Sequence, residues 1–319
     1  MEVLRTLPDV TERQPCGLTI GNFDGVHLGH QAMLARLRRH CDQAGLPMAV
    51  LTFEPHPREY FARLHGREAP ARISVEADKL AALAHAGVNR VCVLPFDRQL
   101  AETEAATFVQ RILIDGLAVR ELLIGDDFRF GARRAGDFAL LSQLAEGRFQ
   151  LSRMPTIDDG DGHRVSSSLV RDALARGDFG RVRELLGRPY EISGPVAHGR
   201  KLGRTLGFPT LNIRFGDAKP ALAGIFVVQV HGLGERPWPA VASLGTRPAV
   251  EADGEPLLEV HLFDFSREIY GMPVRVEFLQ KLRDERGFDS LEALRQQIDA
   301  DAAQARAYFA SPQDSDGQA

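Results

Sequence analysis

The chain has 319 residues, an apolar fraction of 44% and a formal net charge of −4 from 39 basic and 43 acidic residues. That length fits two domains better than one, and the near balance of charge excludes an overall basic footprint for nucleic acid. No window approaches the roughly 18 consecutive apolar residues of a membrane helix, and the opening MEVLRTLPDVTERQP lacks the apolar core of a signal peptide. Cys16, Cys41 and Cys92 are scattered without a CxxC pair, which fits free thiols in a reducing cytosol, and a cytoplasmic location is expected.

The stretch Leu18 to Leu34, LTIGNFDGVHLGHQAML, begins as an apolar strand, breaks at Gly21-Asn22-Phe23-Asp24-Gly25 and resumes with a helical pattern. Gly21 and Gly25 open backbone angles closed to other residues and let a phosphate approach the chain closely. A helix starting near Gly29 offers unpaired N–H groups and a positive dipole end to an anion. His27 and His30, three apart, share one face of that helix. Together these features suit nucleotide phosphates. Two plainer readings stand beside this one. The histidines could be half of a zinc site, although no Cys or acidic partner lies at ligand spacing, or they could be surface residues at a helix start.

Further along, Met48 to Phe53, Arg90 to Leu94 and Glu121 to Ile124 read as buried strands, with helices over Val75 to Ala86 and Ala105 to Leu113. This alternation predicts a parallel sheet with helices on both faces and ligands beyond the carboxyl ends of the strands. The loops that follow the strands are GNFDG, Glu54-Pro55-His56-Pro57 and Gly125-Asp126-Asp127-Phe128-Arg129-Phe130-Gly131. Singly, the second is a proline-stiffened turn and the third a loop pinned by aromatics. Ser166-Ser167-Ser168 opens another helix, either as plain N-caps or, with Arg171 one turn later, as a phosphate grip. That element closes a first domain, 1–186, and the helical run Phe179 to Leu186 reads as the connection to the next.

From Tyr190 the pattern changes to short β runs, at Tyr190 to Val196, Thr210 to Ile213, Gly224 to His231, Ala240 to Leu244, Leu257 to Phe263 and Val274 to Phe278. They predict a small antiparallel barrel or sandwich over 187–319. A helix follows from Ser290 to Tyr308, with Leu291, Leu294, Ile298 and Ala302 on one stripe. Gly194 to Asn212, GPVAHGRKLGRTLGFPTLN, is rich in glycine and basic residues. It has the first spacing of a P-loop without the closing Lys-Ser/Thr, so it is no Walker A motif, and composition alone makes it a solvated basic loop. Strand alternation sets Glu259 and His261 on the face opposite Leu258, Val260 and Leu262, where Glu259 could simply meet water.

Several of these runs carry a resemblance. HLGH resembles the HxGH signature of the nucleotidyltransferase superfamily, and GNFDGVHLGHQ resembles the adenylyltransferase half of bacterial bifunctional riboflavin kinase/FAD synthetases. FEPHP, GDDFRFG with Arg134, Gly136 and Asp137, and SSLVR resemble the later motifs of that half. HGRKLGRTLGFPTLN, LLEVHLFDF and LRDERGFDSLEALRQQIDAD resemble the kinase half. The resemblance implies an α/β, Rossmann-like nucleotidyltransferase domain followed by a small antiparallel β-barrel kinase domain with a C-terminal helix. The implied reactions are phosphorylation of riboflavin to FMN and adenylylation of FMN to FAD with release of pyrophosphate.

It implies catalytic roles for His27 and His30 and a general base in Glu259. Gly21, Asn22, Phe23, Gly25, Gly29, Ser167, Ser168, Arg171, Gly199, Gly203 and Arg204 would bind ATP and its phosphates. Pro55, Asp127, Phe128, Arg129 and Arg283 would bind flavin, and Thr210 and Asn212 would hold Mg²⁺. ATP, riboflavin and FMN would be the small-molecule partners of a monomer or weak homo-oligomer, with neither nucleic acid nor membrane involved. The chain departs from the family at Ser243 to Ala249, where an Asn and a Thr are missing, at Gly287, where Lys is frequent, and at Leu169, where some members have Arg. Two alternatives remain. GFPTLN and LLEVHLFDF argue against a nucleotidyltransferase of other specificity. HLGH, Thr210, Asn212 and Glu259 argue against a flavin-binding regulatory protein without catalysis.

Overall fold

The structure is a computed structural model that describes residues 1–155, 157–158, 162, 164–198, 208–216, 218–245 and 256–311. Its contacts divide the chain into two units, Met1–Pro70 with Lys79–Ser166, and Ala71–Asp78 with Ser167–Ala319.

The first unit is built on six strands, β1 (Glu2–Leu4), β2 (Cys16–Ile20), β3 (Met48–Glu54), β4 (Arg90–Pro95), β5 (Val119–Gly125) and β6 (Gln150–Met154). They lie in the order β1-β4-β3-β2-β5-β6, and every pair is parallel. All five residues of β2 are buried, as a strand covered on both faces must be. Alternate side chains feed two cores. Leu18, Ile20, Leu51, Leu122 and Ile124 join one, and Val50, Val91, Val93 and Leu123 join the other.

Nine α-helices among the described residues are α1 (Leu28–Ala44), α2 (Pro57–Leu64), α3 (Glu76–His85), α4 (Arg98–Ala101), α5 (Ala105–Phe108), α6 (Phe138–Ala145), α7 (Ser167–Arg176), α8 (Phe179–Leu186) and α9 (Leu291–Ala310). Leu34 and Leu37 of α1 and Leu83 of α3 pack on the second core. Phe108 of α5 and Leu141 of α6 pack on the first, so helices do cover both faces. After β4 the chain returns to place β5 on the other side of β2, making the end of β2 the point where strand order reverses.

Two strands lay outside the sequence expectation. β1 has three residues, two of them exposed, and β6 is polar, so neither shows an apolar run. The helix expected over Ala105 to Leu113 is α-helical only to Phe108 and widens into π-helical turns from Val109 to Gly116.

The second unit carries β7 (Glu191–Pro195), β8 (Leu211–Arg214), β9 (Gly224–His231), β10 (Trp238–Gly245), β11 (Leu257–Leu262) and β12 (Pro273–Arg283). They pair antiparallel in the order β7-β12-β9-β10-β11-β8. A further bridge between Ala197 and Asn212, with Ala197 N–H donating to the Asn212 carbonyl at 2.8 Å, brings the ends of the sheet together as a near-closed barrel. Phe226, Val228, Leu244, Leu258, Val260 and Val276 are fully buried at alternate positions. On the opposite face Val227 and Val241 meet Ala302 and Ala305 of α9.

That helix corrects the expected stripe at its first position. Leu291 in the first turn is 73% exposed, whereas Leu294 and Ile298 are half-buried and Ala302 is buried, with Asp301 and Ala305 buried beside it. α7 and α8, which the sequence reading places within 1–186, belong to this unit. Phe179 of α8 packs against Tyr190, Phe226 and Phe278. An early segment also belongs here. Arg72 pairs with Pro220, Tyr190 Oη donates to the Ile73 carbonyl at 2.7 Å, and Ser193 N–H donates to Asp78 Oδ2 at 3.0 Å.

Candidate functional site

The chain leaves β2 at its carboxyl end and turns through Gly21 to His27 into α1. The turn is tight. Phe23, Gly25 and Val26 have φ of 49°, 80° and 42°, a left-handed backbone that a phenylalanine and a β-branched valine rarely adopt. Burial holds them there, since Phe23 is 0% and Val26 1% exposed. His27 is the N-cap of α1, and its Nδ1 accepts the His30 backbone N–H at 3.4 Å. With Nδ1 accepting, Nε2 is the ring nitrogen left to donate. The two imidazoles stack with centroids 3.7 Å apart and planes 18° off parallel.

Gly29 lies close between them, and a Cβ there would sit 3.2 Å from the His27 ring and 3.3 Å from the Val165 carbonyl, so either must give by a few tenths of an ångström. Burial, and next the His27 ring, hold the His30 pKa well below the ordinary value. Its Nδ1 is buried with no hydrogen-bond partner. A neutral imidazole with an unused polar atom, beside a helix N-terminus, suits an incoming anion whose charge would favour its protonation.

The other loops of the first unit lie beyond the same strand ends. The Glu54–Pro55 peptide bond is cis, and His56 caps α2 in a reciprocal box with Glu59. Asp127 pairs with Arg164 at 2.8 Å, and Arg129 with Asp137 at 3.3 Å, all four largely exposed. Phe128 stacks on Phe130, whose ring leaves no room for a side chain at Gly136. Asp137 caps α6, and the Leu140 N–H holds its carboxyl below the usual range. In the second unit, Ser167 and Ser168 open α7, the first half-buried and the second exposed, and Arg171 Nε donates to the Ala71 carbonyl at 2.6 Å.

On the barrel, register brings residues together that are distant in sequence. Asn212 of β8 lies directly opposite Glu259 of β11, and Glu259 opposite Ser243 of β10. The row continues through Ile225 to Arg283. Directly opposed residues in antiparallel strands share a face, so Asn212, Glu259 and Ser243 form one line of polar groups. Asn212 is 4% exposed, and its Oδ1 has no hydrogen-bond partner. Thr210 immediately precedes β8 and is half-buried. Arg283 sends Nε and Nη2 onto the buried Asp301 carboxylate at 2.7–3.2 Å. Gly199, Gly203 and Arg204 lie outside the described residues, as do Thr246 to Ala249.

The FAD synthetase family matches residues 9–169 and the riboflavin kinase family matches residues 186–309. Along the whole chain, the bifunctional riboflavin kinase/FMN adenylyltransferase of Pseudomonas fluorescens is 47% identical over 97% of this chain and 98% of the relative. That of Haemophilus influenzae is 46% identical over 98% and 100%, and that of Escherichia coli K12 is 43% identical over 97% and 98%. The chain belongs to the bifunctional riboflavin kinase/FMN adenylyltransferase family. A solved structure described as a macrolide-efflux protein from Streptococcus pneumoniae has the same fold, with a TM-score of 0.73 and 28% identity over 96% of this chain and 99% of that one. No helix among the described residues is long and apolar enough to cross a membrane.

Sequence reading missed one acidic residue in the kinase half of this family member. The Glu285 carboxylate lies against Gly245, where a Cβ would displace it, and it accepts from Ser243 Oγ at 3.5 Å. Burial pushes its pKa up. The Ser243 bond and Arg283 act against that rise, and the charge of Glu259 adds to it. Nothing in the run LRDERGF marks this position, because its neighbours come from β10 and β11.

Proposed function

We propose that this chain makes FAD in two steps, phosphorylating riboflavin in the half 187–319 and adenylylating FMN in the half 1–186. One observation carries the reading. A single chain matches both families, and it brings together the stacked His27 and His30 in one half and the opposed Asn212 and Glu259 in the other.

In the first half an oxygen of the FMN phosphate attacks the α-phosphorus of ATP, and the bond to the bridging oxygen breaks to release pyrophosphate. His27, His30 and the N-terminus of α1 are proposed to stabilise the developing charge. Gly21, Asn22, Phe23, Gly25 and Gly29 shape the phosphate loop, with Ser167, Ser168 and Arg171 as further phosphate ligands. Pro55, Asp127, Phe128 and Arg129 are proposed to face flavin.

In the second half the primary hydroxyl of riboflavin attacks the γ-phosphorus of ATP, the bond to the β,γ-bridging oxygen breaks to release ADP, and Glu259 accepts the hydroxyl proton. Such transfers depend on positioning and charge stabilisation more than on covalent chemistry. The donor set fits Mg²⁺. Asn212 Oδ1 is a buried oxygen without a partner, and Thr210 adds a hydroxyl, both hard ligands. An ion bound there would neutralise phosphate charge. Arg283, tied to Asp301, is proposed to border the flavin, and Gly199, Gly203 and Arg204 to cover the phosphates.

A cytoplasmic location is proposed as well, supported by three buried free thiols. Burial pushes Cys16 and Cys92 up to about 12 and Cys41 up to about 11, which keeps them protonated and unreactive. We further propose a monomer or weak homo-oligomer.

The test is chromatography of flavins after incubation with riboflavin, ATP and Mg²⁺. The parent chain should yield FMN and then FAD. His30→Ala should stop at FMN. Glu259→Gln should still convert supplied FMN to FAD, while its riboflavin turnover falls by about 10²–10⁴-fold. FAD made at the parent rate by His30→Ala, or unchanged riboflavin turnover in Glu259→Gln, would sink the corresponding assignment.

A further inference from the structure

We propose that His261 is a positioning residue of the kinase site, holding the segment Phe208–Thr210 so that Thr210 stands beside Asn212. The inference rests on the reading that Thr210 and Asn212 are the ligands of the metal and ATP phosphates.

β8 and β11 pair through Leu211 with Val260 and Asn212 with Glu259. One more step in that register would set Thr210 opposite His261, yet the ladder ends at Leu211. The residue before Thr210 is Pro209, which has no N–H to offer a ladder. A side chain takes over where the backbone stops. His261 Nδ1 lies 2.9 Å from the Pro209 carbonyl oxygen. A carbonyl only accepts, so the imidazole proton is on Nδ1 and the tautomer is fixed. The same ring stands edge-on to Phe208, with centroids 5.1 Å apart and planes at 75°, and edge-on to Phe263 at 5.8 Å and 74°. Two consecutive residues, Phe208 and Pro209, are thus fixed by one side chain, through a ring contact and a hydrogen bond. Thr210 follows directly.

The burial alternation of β11 puts His261 on the face of Glu259, two residues along. The ring therefore reaches the incoming segment from the strand that carries the base. A residue important only for folding would alter stability and leave substrate constants alone. A positioning residue separates them, because a small displacement of a binding group weakens only the step that uses it.

The experiment uses the full chain. His261→Phe keeps an aromatic ring and removes the donor, and His261→Asn keeps a donor near the Nδ1 position and loses the ring. Hydrogen–deuterium exchange of peptides spanning 208–214, measured without metal or nucleotide, should quicken in His261→Phe and change little elsewhere. The KM of the kinase for ATP should rise on the order of tenfold or more in His261→Phe. Its KM for riboflavin and the conversion of FMN to FAD should stay at parent values, and His261→Asn should recover most of the loss.

An unchanged ATP KM in His261→Phe, or unchanged exchange in 208–214, overturns the proposal. So does a loss that falls equally on riboflavin KM. Should His261→Phe fail to fold, His261→Leu removes the donor with less bulk and reads the same quantities. Asn212→Ala runs in parallel. If its Mg²⁺ dependence equals the parent's, the ligand assignment has failed and this inference fails with it. If Asn212→Ala is impaired and His261→Phe is not, only the positioning role is lost.

Discussion

His30 is kept uncharged by its surroundings, and that has a cost at low pH. Its folded pKa is pulled well below the ordinary value by burial, and next by His27. In the unfolded chain the same ring takes up a proton near pH 6.5. Above that pH neither state is protonated, and the stability associated with this residue is complete. As pH falls below it, the unfolded state binds a proton that the folded state refuses, and stability drops by up to about 1.4 kcal/mol per pH unit. Urea unfolding of the first unit should therefore lose ground between pH 7 and pH 5, and His30→Asn should flatten that slope. Equal slopes would mean the ring takes up its proton freely in the folded state. The motif itself was legible from HLGH, because glycines, a strand end and spaced histidines all speak in sequence. The left-handed backbone at Phe23 and Val26 was not, since only the packing of those side chains holds it.

At the scale of elements, α9 shows how far periodicity carries. Ser290 caps it as a serine before an apolar run suggests, accepting the Ala293 N–H. Its fixation depends on charge. Asp301 is buried, accepts Arg283 at 2.7–3.2 Å, and also accepts Gln297 Nε2 at 2.8 Å. Arg306 of the same helix forks onto Asp264 at 2.8 and 3.0 Å. Asp301→Ala would leave the Arg283 guanidinium without its carboxylate, and a broken buried pair costs about 3 kcal/mol. Trp238 is the one tryptophan and lies in β10, so its fluorescence during denaturation reports this unit. A midpoint equal to the parent's would show that α9 is held without the pair. The polar partner was invisible in sequence because an aspartate on a helix reads as solvent-facing. β12 was cut short for a related reason. Bulges at Phe278/Gln280 and Lys281/Arg283 break its alternation, so the apolar signal stops where the strand does not.

The whole molecule divides less simply than its sequence. The change from strand–helix alternation to short β runs was plain, yet α7, α8 and Ala71–Asp78 are counted with the barrel unit. A fragment from Ser167 to Ala319 should therefore melt above one from Gly187, which lacks Phe179 and its contacts with Tyr190, Phe226 and Phe278. Loss of a packed phenylalanine lowers stability by about 3 kcal/mol or more, a difference on the order of 10 °C in a unit of this size. Circular dichroism melts decide it, and coincident curves would make α8 dispensable. The longer fragment should convert riboflavin to FMN and go no further. The segment with Ile73 bears on birth as well as on dissection. Residues 71–78 leave the ribosome long before Tyr190, Ser193 and Lys219, the partners that receive them. During synthesis the first sheet can form while this stretch waits, its buried Ile73 still open to water. A chain stalled or truncated near Gly187 leaves that stretch without the partners that cover it, an exposed apolar surface prone to aggregation.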